Sequence, residues 1–374
     1  MVSGEPRSSG NQAIAFVPLY GVVAAVSLCM LAVNLGSVAS RNTAAVDRTA
    51  VATTSAGPAL NPAIYHHVAQ VTWVVSDIDS VVGYWQQLGI QDIHRDGVVR
   101  FPRLTYRGKP DPSSAQEVTA NIGELQIKWL QPLRGGKFWR EQLRHHGDGI
   151  RVLSYDVQSS QQFDEQLHYF TSKGVGVVVQ DNWQGSQGRG RMAYLDTAAQ
   201  GGGTMLGLID DPDARSRVGV ATSSPNQYPL NKITHFAWVV HDVRTVNAYY
   251  VSLGFRPLSS IDHNISLDRV YRGQPGSYEM WLGWNRTGDA PFEWVQQITG
   301  PDIYIEYLKK HGEGFHHLGV TVTDMDEATK LMGARGAPAS QSAAWTTKKG
   351  KGRAVYVDTE PHGGVTLELI YDPH

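Results

Sequence analysis

Residues 236–255, FAWVVHDVRTVNAYYVSLGF, repeat the pattern of residues 71–90, VTWVVSDIDSVVGYWQQLGI. Two further segment pairs match at the same spacing of 165 residues: IKWLQPL (127–133) with FEWVQQI (292–298), and HHGDGIRVLSYDV (145–157) with KHGEGFHHLGVTV (310–322). A spacing that stays constant over three segments indicates an internal duplication. The chain therefore contains two copies of one domain.

Each copy divides again into two similar units. In the second copy, the alternating run THFAWVVHDV (234–243) predicts a strand, and RTVNAYYVSLG (244–254) predicts a helix that ends at a glycine. Three strand-like runs follow, and the same order starts again at HHLGVTV (316–322). One such unit would leave a face of its short sheet exposed, whereas a pair buries it. We therefore predict an α+β fold of four βαβββ modules, paired into two domains.

The composition is that of a globular protein and limits its chemistry. The formal net charge is -2 and the pI about 6.7, a balance that argues against nucleic-acid binding. The single cysteine excludes a disulfide framework, a cysteine-based zinc site and an iron–sulfur cluster. Any metal must therefore be held by histidine and carboxylate side chains.

The N-terminal region carries an apolar run at residues 13–35, which is long enough to span a bilayer. We predict that residues 1–40 are a membrane anchor or a secretory signal, since small residues around Ala39 resemble a cleavage site. The protein is then membrane-anchored by one helix or exported. If synthesis starts at Met30, it is cytoplasmic.

The remaining boundaries follow from composition and from the repeat. Residues 41–63 are rich in Ala, Thr and Ser and predict a flexible tether. The first domain is expected at 64–212, a linker at 213–230 and the second domain at 231–374. Modules can pair within one chain or between two, so an oligomer is possible.

At four equivalent positions the two copies carry side chains of different chemistry. The second copy carries His235, Glu293, His317 and Glu368, where the first carries Gln70, Lys128, Val152 and Gly207. The four residues are present together in one copy and absent together from the other, as expected for ligands of one ion. We predict a divalent metal site in the second domain and a metal-free first domain.

This ligand set predicts a particular kind of metal chemistry. Imidazole and carboxylate ligands suit zinc, nickel, cobalt, manganese or ferrous iron, and two carboxylates neutralise a divalent cation. Four ligands leave two adjacent positions of a six-coordinate ion open for a small-molecule substrate with two neighbouring oxygens. The adjacent His316 is expected to face the other side of its strand, since side chains alternate.

Tandem modules with His, Glu, His and Glu at these positions resemble the vicinal oxygen chelate superfamily, which includes glyoxalase I, methylmalonyl-CoA epimerase, extradiol dioxygenases and fosfomycin-resistance proteins. The resemblance covers nearly all of residues 64–374, but specific motifs are confined to 231–374. YIEYLKKHGEGFHHLGVTVTDMDEATKLMGARG (304–336) and GGVTLELIYDP (363–373) look most like the epimerase. The resemblance implies the same four metal ligands.

The resemblance also implies a reaction class, namely proton transfer in an isomerase, an epimerase or a glyoxalase-type lyase. The epimerase's additional carboxylate base lies on the strand before the second ligand, where SYEMWLGW (277–284) places Glu279. Glu279 or Glu368 is therefore the expected base, and Zn, Ni, Co or Mn is the favoured metal. Epimerases often carry Gln where Glu293 stands, whereas glyoxalase I carries Glu, so epimerase and lyase both stay open.

Two alternatives remain at this point. Extradiol ring-cleaving dioxygenases use two His and one Glu around Fe(II), and His235, His317 and Glu368 match that triad. Tyr356 lies near the position of that family's active-site tyrosine. The other alternative is a non-catalytic protein of the same superfamily that binds a ligand in its pocket.

Overall fold

The duplication appears directly in the sheet order of the computed structural model, which describes residues 58–217 and 227–373. Each domain is built on one mixed ten-stranded sheet within these residues. The strands of the first domain are β1 Val68–Val74, β2 His94–Phe101, β3 Thr105–Tyr106, β4 Lys109–Pro110, β5 Ser113–Ile122, β6 Leu125–Arg134, β7 Gly149–Asp156, β8 Val177–Gln184, β9 Arg189–Leu195 and β10 Met205–Asp210. Those of the second are β11 Ile233–Val239, β12 Ser260–Asn264, β13 Leu267–Tyr271, β14 Gln274–Pro275, β15 Glu279–Asn285, β16 Phe292–Thr299, β17 Gly314–Thr321, β18 Ala339–Thr347, β19 Gly350–Val357 and β20 Thr366–Tyr371.

The helices complete the modules. They are α1 Ile78–Leu88, α2 Lys137–His146, α3 Ser160–Ser172, α4 Pro212–Arg217, α5 Val243–Ser252, α6 Ile303–His311 and α7 Met325–Ala334, after a 3₁₀ turn at Pro62–Tyr65. The helix of each module follows its first strand and begins at a residue whose side chain accepts a backbone N–H, as N-cap residues do: Asp77, Ser159, Asp242 and Asp324. α2 and α6 connect the two modules of a domain.

The strand order is the same in both sheets, β2-β5-β6-β1-β7-β10-β9-β8-β3-β4 and β12-β15-β16-β11-β17-β20-β19-β18-β13-β14. The first strands of two modules lie side by side at the centre, and each module extends outward from them. The predicted α+β fold of four paired βαβββ modules is therefore confirmed. A short hairpin, β3–β4 or β13–β14, is an addition that the repeat pattern did not reveal.

The sheet of the second domain curls until its two ends meet. β12 forms one edge and β13 lies next to the other edge, yet only residues 265 and 266 separate them in the chain. A link this short spans about 10 Å at most, so the ends of the sheet lie close together. The curled sheet encloses an inner face, while its outer face packs against the helices and the main core through Trp238 and Trp294.

The two domains share a continuous apolar core and belong to one compact unit. Two reciprocal hydrogen bonds connect them. Trp85 on α1 donates its indole N–H to the carbonyl of His362 at 3.0 Å, and Tyr250, at the equivalent position of α5, donates its hydroxyl to the carbonyl of Gly201 at 3.1 Å. Each domain thus anchors its first helix to the loop before the other domain's last strand.

The predicted N-terminal features lie outside the described residues. This applies to the hydrophobic segment 1–40 with its apolar run 13–35, to most of the tether 41–63 and to residues 218–226 of the linker. Within 58–217 and 227–373, no helix is long and apolar enough to cross a membrane. The two sheets fall inside the ranges 64–212 and 231–374 expected for the domains.

Removing one reciprocal hydrogen bond should weaken the interface between the domains. Tyr250→Phe leaves the buried carbonyl of Gly201 without its donor, so we expect a loss of about 1–3 kcal/mol in the free energy of unfolding, measured by urea titration. Tyr249→Phe, a half-buried neighbour on the same helix, is the control and should change it by less than about 0.5 kcal/mol. Equal effects of the two changes would contradict the assigned role of the bond.

Candidate metal centre

Four adjacent strands of the second sheet carry the predicted ligands. Their order is β16, β11, β17 and β20, and they hold Glu293, His235, His317 and Glu368 respectively. The registers place all four within two residues of one another along the strands: Ala237 pairs with both Glu293 and His317, and Gly319 pairs with both His235 and Glu368. The alternation of side chains then directs all four toward the inner face of the curled sheet.

The ligand atoms converge on one point. His235 Nε2 lies 2.8 Å from Glu368 Oε2 and 3.7 Å from Glu293 Oε2. His317 Nε2 lies 3.1 Å from Glu368 Oε2 and 3.2 Å from Glu293 Oε2. The two Nε2 atoms are 3.1 Å apart, and one ligand atom from each residue lies within 4.8 Å of all the others. The structure therefore brings together the complete predicted set.

The electrostatics of this cluster favour a cation. All four residues are at most 5% exposed. Burial lowers the pKa of His317, but the carboxylates of Glu368 and Glu293 outweigh burial and raise it to about 9. Burial raises the pKa of Glu368, yet the two histidines bring it well below its usual range. In the absence of a metal, the protonated His317 imidazole partly balances the carboxylates.

The residues fit a divalent metal ion. Glu293 Oε2 is buried and has no hydrogen-bond partner in the described structure, a state that is costly without a ligand. Two imidazole nitrogens and two carboxylate oxygens facing one point are a ligand set for a divalent transition metal. The cluster can therefore hold a metal ion, and the type of metal is not fixed by these residues.

Gly319 makes room for His235. A Cβ atom at this position would lie 1.9 Å from His235 Cε1 and 2.1 Å from its Nδ1, so a side chain here would displace the imidazole. The corresponding residue in the first domain is Ser154, which lies opposite Gly207 and pairs with Gln70. Sequence reasoning missed Gly319, although the glycine was visible in the HHLGVTV motif.

His316 does not face away from the site, and the expectation that it does is wrong. β17 carries a β-bulge here, because Ala237 pairs with His317 whereas the next residue, Trp238, pairs with Phe315. The extra residue is His316, and a bulge interrupts the alternation of side chains. As a result, His316 Nδ1 lies 2.8 Å from His317 Nδ1, and both imidazoles are buried.

Aromatic side chains surround the cluster. The Trp284 ring packs edge-on against His235 at 5.4 Å between centroids, and the Tyr356 ring packs against His317 at 5.2 Å. Tyr304, on α6, lies 5.8 Å from the Tyr356 ring. Burial and the neighbouring carboxylate of Glu368 raise the pKa of Tyr356 well above its ordinary value. The hydroxyl therefore stays protonated.

Glu279 is not brought to the cluster. It lies at the start of β15 opposite Thr299, whereas the residue of β15 opposite Glu293 is Trp284. Six residues of β16 separate the two positions, roughly 20 Å along the strand. The Glu279 carboxylate instead contacts His263 Nε2 at 3.1 Å and is partly exposed. Its predicted role as a base has no support in this geometry.

The first domain holds a lysine at the equivalent place. Lys128 Nζ lies 3.7 Å from Glu117 Oε1 on the inner face. Burial lowers the pKa of Lys128, but the charge of Glu117 and other acidic groups outweighs it and raises the pKa above its ordinary value. The ammonium group would repel a metal ion, and the side chains of Val152 and Gly207 provide no ligand atom.

A groove of about 520 Å³ lies between the domains, away from the four predicted ligands. It is lined by Gln200, His241, Thr245 and Glu313, among others. The convergence of four buried ligand atoms places the candidate site at the cluster instead.

Comparison with known proteins agrees with this placement. Residues 234–357, which include three of the four ligands, match the profile of the Glyoxalase/Bleomycin resistance protein/Dioxygenase superfamily. The match covers most of the C-terminal domain. The resemblance to it that was drawn from the sequence is thus confirmed. No curated protein sequence matches the chain significantly.

Solved structures are similar to this chain over most of its length. A triple mutant of 4-hydroxymandelate synthase from Streptomyces coelicolor is similar over 82% of this chain and 92% of its own, with a TM-score of 0.56 and 16% identity. A xylose isomerase-like TIM barrel/4-hydroxyphenylpyruvate dioxygenase fusion protein matches over 82% and 49%, with a TM-score of 0.48 and 13% identity. A catechol 2,3-dioxygenase matches over 82% and 89%, with a TM-score of 0.44 and 14% identity. At this level of identity, the first similarity supports the fold alone.

Adding one methyl group beside His235 should disrupt the centre. In Gly319→Ala the new Cβ clashes with the imidazole, so we expect Zn²⁺ affinity, measured by competition with a chromophoric chelator, to fall at least about tenfold. Gly333→Ala is the matched control, because its Cβ would meet nothing within 4 Å on helix α7. Unchanged affinity in Gly319→Ala would contradict the assigned position of His235.

The metal content should be one ion per chain. Elemental analysis after loading with Zn²⁺ and desalting is expected to give one equivalent for the wild type and for Lys128→Ala. Glu293→Ala should lose most of the bound zinc, because the site then lacks one of its two carboxylates. Two equivalents in the wild type, or one in Glu293→Ala, would contradict a single centre in the second domain.

Without metal, stability should depend on pH through His317. Its pKa of about 9 in the folded chain lies above the value near 6.5 of an unfolded chain. Its protonation therefore stabilises the fold fully below about pH 6.5, and this contribution is lost as the pH rises through 9. We expect the free energy of unfolding of chelator-treated protein to fall by roughly 1–3 kcal/mol from pH 6.5 to 9. Urea titrations of wild type and His317→Gln test this, because the variant should lose most of the dependence.

Proposed function

We propose that the chain is a metal-dependent enzyme that transfers a proton on a small substrate chelating a divalent ion through two neighbouring oxygens. The reaction class is isomerisation, epimerisation or a glyoxalase-type lyase reaction, with Zn, Ni, Co or Mn as the metal. The observation that carries the proposal is the presence of two buried carboxylates, Glu293 and Glu368, beside two imidazoles at one point. Two carboxylates would neutralise a divalent ion held by these four residues, and the ion would have coordination positions left for the substrate.

When bound, the ion supplies Lewis-acid polarisation of the substrate's oxygens. The chain supplies the proton acceptors. Glu293 and Glu368 lie on the two outer strands of the four that carry the ligands, so they flank the substrate position from opposite sides. Either carboxylate could take a proton from the carbon next to a carbonyl, and a base on each side suits a two-base epimerisation. Glu279 has no part in this proposal.

The surroundings support the same chemistry. The Tyr356 ring packs against His317, while Trp284 and Tyr304 line the inner face with aromatic surface. Because the ligands are almost fully buried, water is largely excluded from the cluster. Exclusion of water strengthens electrostatic interactions at the reacting atoms. The aromatic rings favour a substrate with an apolar or aromatic part.

A second candidate is an Fe(II)-dependent dioxygenase. Two observations favour it: the overall fold is similar to that of 4-hydroxymandelate synthase, and the Tyr356 ring packs against His317. His235, His317 and Glu368 would then be the iron ligands. Glu293 would be a further acidic group at the iron and would reduce the number of positions open to oxygen and substrate.

Metal reconstitution distinguishes the two candidates. The chelator-treated protein is loaded separately with Zn²⁺, Ni²⁺, Co²⁺, Mn²⁺ and Fe²⁺. Each form is assayed for deuterium exchange from solvent into 2-oxo thioesters and hemithioacetals, and for O₂ uptake with catechols. We expect exchange with redox-inert Zn²⁺ and no O₂ uptake.

Two variants test whether the carboxylates act as bases. Glu293→Gln and Glu368→Gln should each lower the exchange rate at least about a hundredfold, the usual contribution of a general base. Glu279→Gln is the matched control and should keep the wild-type rate. Activity with Fe²⁺ alone, accompanied by O₂ consumption and retained in Glu293→Gln, would overturn the proposal in favour of the dioxygenase.

A further inference from the structure

We infer that His316 is a positioning residue that fixes which ring nitrogen of His317 faces the metal. The inference rests on the metal site of the proposed function and concerns a residue that touches neither the ion nor the substrate. A neutral imidazole carries its proton on one nitrogen only, so a histidine ligand must hold that proton on the nitrogen turned away from the ion. A buried partner for the far nitrogen sets this choice.

The geometry gives each nitrogen of His317 a separate partner. Nε2 lies 3.1 Å from Glu368 Oε2 and 3.2 Å from Glu293 Oε2, so this nitrogen faces the metal position. Nδ1 lies 2.8 Å from His316 Nδ1. For Nε2 to offer its lone pair, the proton of His317 must be on Nδ1, which then donates to His316 Nδ1. His316 Nδ1 must consequently be the acceptor.

The surroundings of His316 hold its ring in place beside His317. The imidazole is 1% exposed and packs against the rings of Tyr304 and Tyr307, each at 5.0 Å between centroids. If its Nδ1 accepts a hydrogen bond, its proton is on Nε2. The packed ring therefore keeps its acceptor nitrogen 2.8 Å from His317 Nδ1.

The β-bulge makes this contact possible. In a regular strand His316 and His317 would point to opposite faces, whereas the extra residue at this point of β17 lets their rings meet. The first domain has the same bulge, with Arg151 as the extra residue beside Val152. The Arg151 guanidinium donates to three backbone carbonyls, those of residues 146, 147 and 148. The bulge residue is therefore a histidine, His316, in the second domain, where the next residue is the predicted ligand His317. In the first domain, where the next residue is Val152, it is an arginine.

The usual partner of a metal-binding histidine is a carboxylate, a backbone carbonyl or water, and losing that partner costs about 10–100-fold in metal affinity. His316→Leu fills the space but removes the acceptor, so we expect Zn²⁺ affinity to fall by about this factor. His316→Asn places an amide oxygen near the position of Nδ1 and should recover most of the affinity. Tyr307→Phe keeps the ring beside His316 and is the control for packing, with wild-type affinity expected.

A measurement on the wild type tests the inference even if a variant fails to fold. Histidine-selective ¹⁵N labelling and long-range ¹H–¹⁵N spectra of the zinc-loaded chain report the tautomer of each imidazole. We expect His317 protonated at Nδ1 and His316 protonated at Nε2. His316 protonated at Nδ1 would overturn the inference, since it could not accept the bond.

The outcomes separate this inference from the proposed function. Wild-type affinity in His316→Leu, or an equal loss in His316→Leu and Tyr307→Phe, would overturn the positioning role while leaving the metal site intact. Absence of Zn²⁺ binding by the wild type would overturn the metal site and the inference with it. A loss in His316→Leu that His316→Asn restores, together with the expected tautomers, supports both.

Discussion

Two carboxylates and two imidazoles facing one point inside a closed sheet are the constraint on which the second domain depends. Burying two carboxylates without a compensating positive charge costs far more than any single apolar contact contributes. The protonated His317 imidazole supplies part of that charge when metal is absent, and a divalent ion would supply it when bound. The strand registers, the missing side chain at Gly319 and the bulge at His316 all serve to keep these four groups together.

The first domain shows how the same scaffold behaves without this constraint. Its sheet has the same order, but Lys128 and Glu117 replace the cluster by an ion pair within the protein. No external cation is needed to balance the charges there. Its contribution is structural, because its helix α1 packs into the shared core and Trp85 reaches the loop before β20. The chain thus keeps two copies of a fold and concentrates the metal ligands in one.

Much of this arrangement could be predicted from the sequence, and the reasons are physical. The repeat predicted the number of modules. The contrast between His235 and Gln70, or Glu293 and Lys128, predicted which side chains converge, because side-chain chemistry differs between the copies while the strand pattern does not. The separation of Glu279 from this cluster could not be predicted, because the distance along a strand depends on register, which a sequence pattern does not contain. His316 was misjudged because a bulge is set by the pairing of two distant strands, not by the residue itself.

The reciprocal bonds of Trp85 and Tyr250 also bear on the origin of the molecule. Their equivalence means that the two domains meet across an approximate twofold axis, as identical subunits do in a symmetric dimer. Contacts of the kind that would join two half-length chains in a dimer therefore act within a single chain here. The two halves are in this sense permanent partners, although only one of them carries the cluster of two carboxylates and two imidazoles.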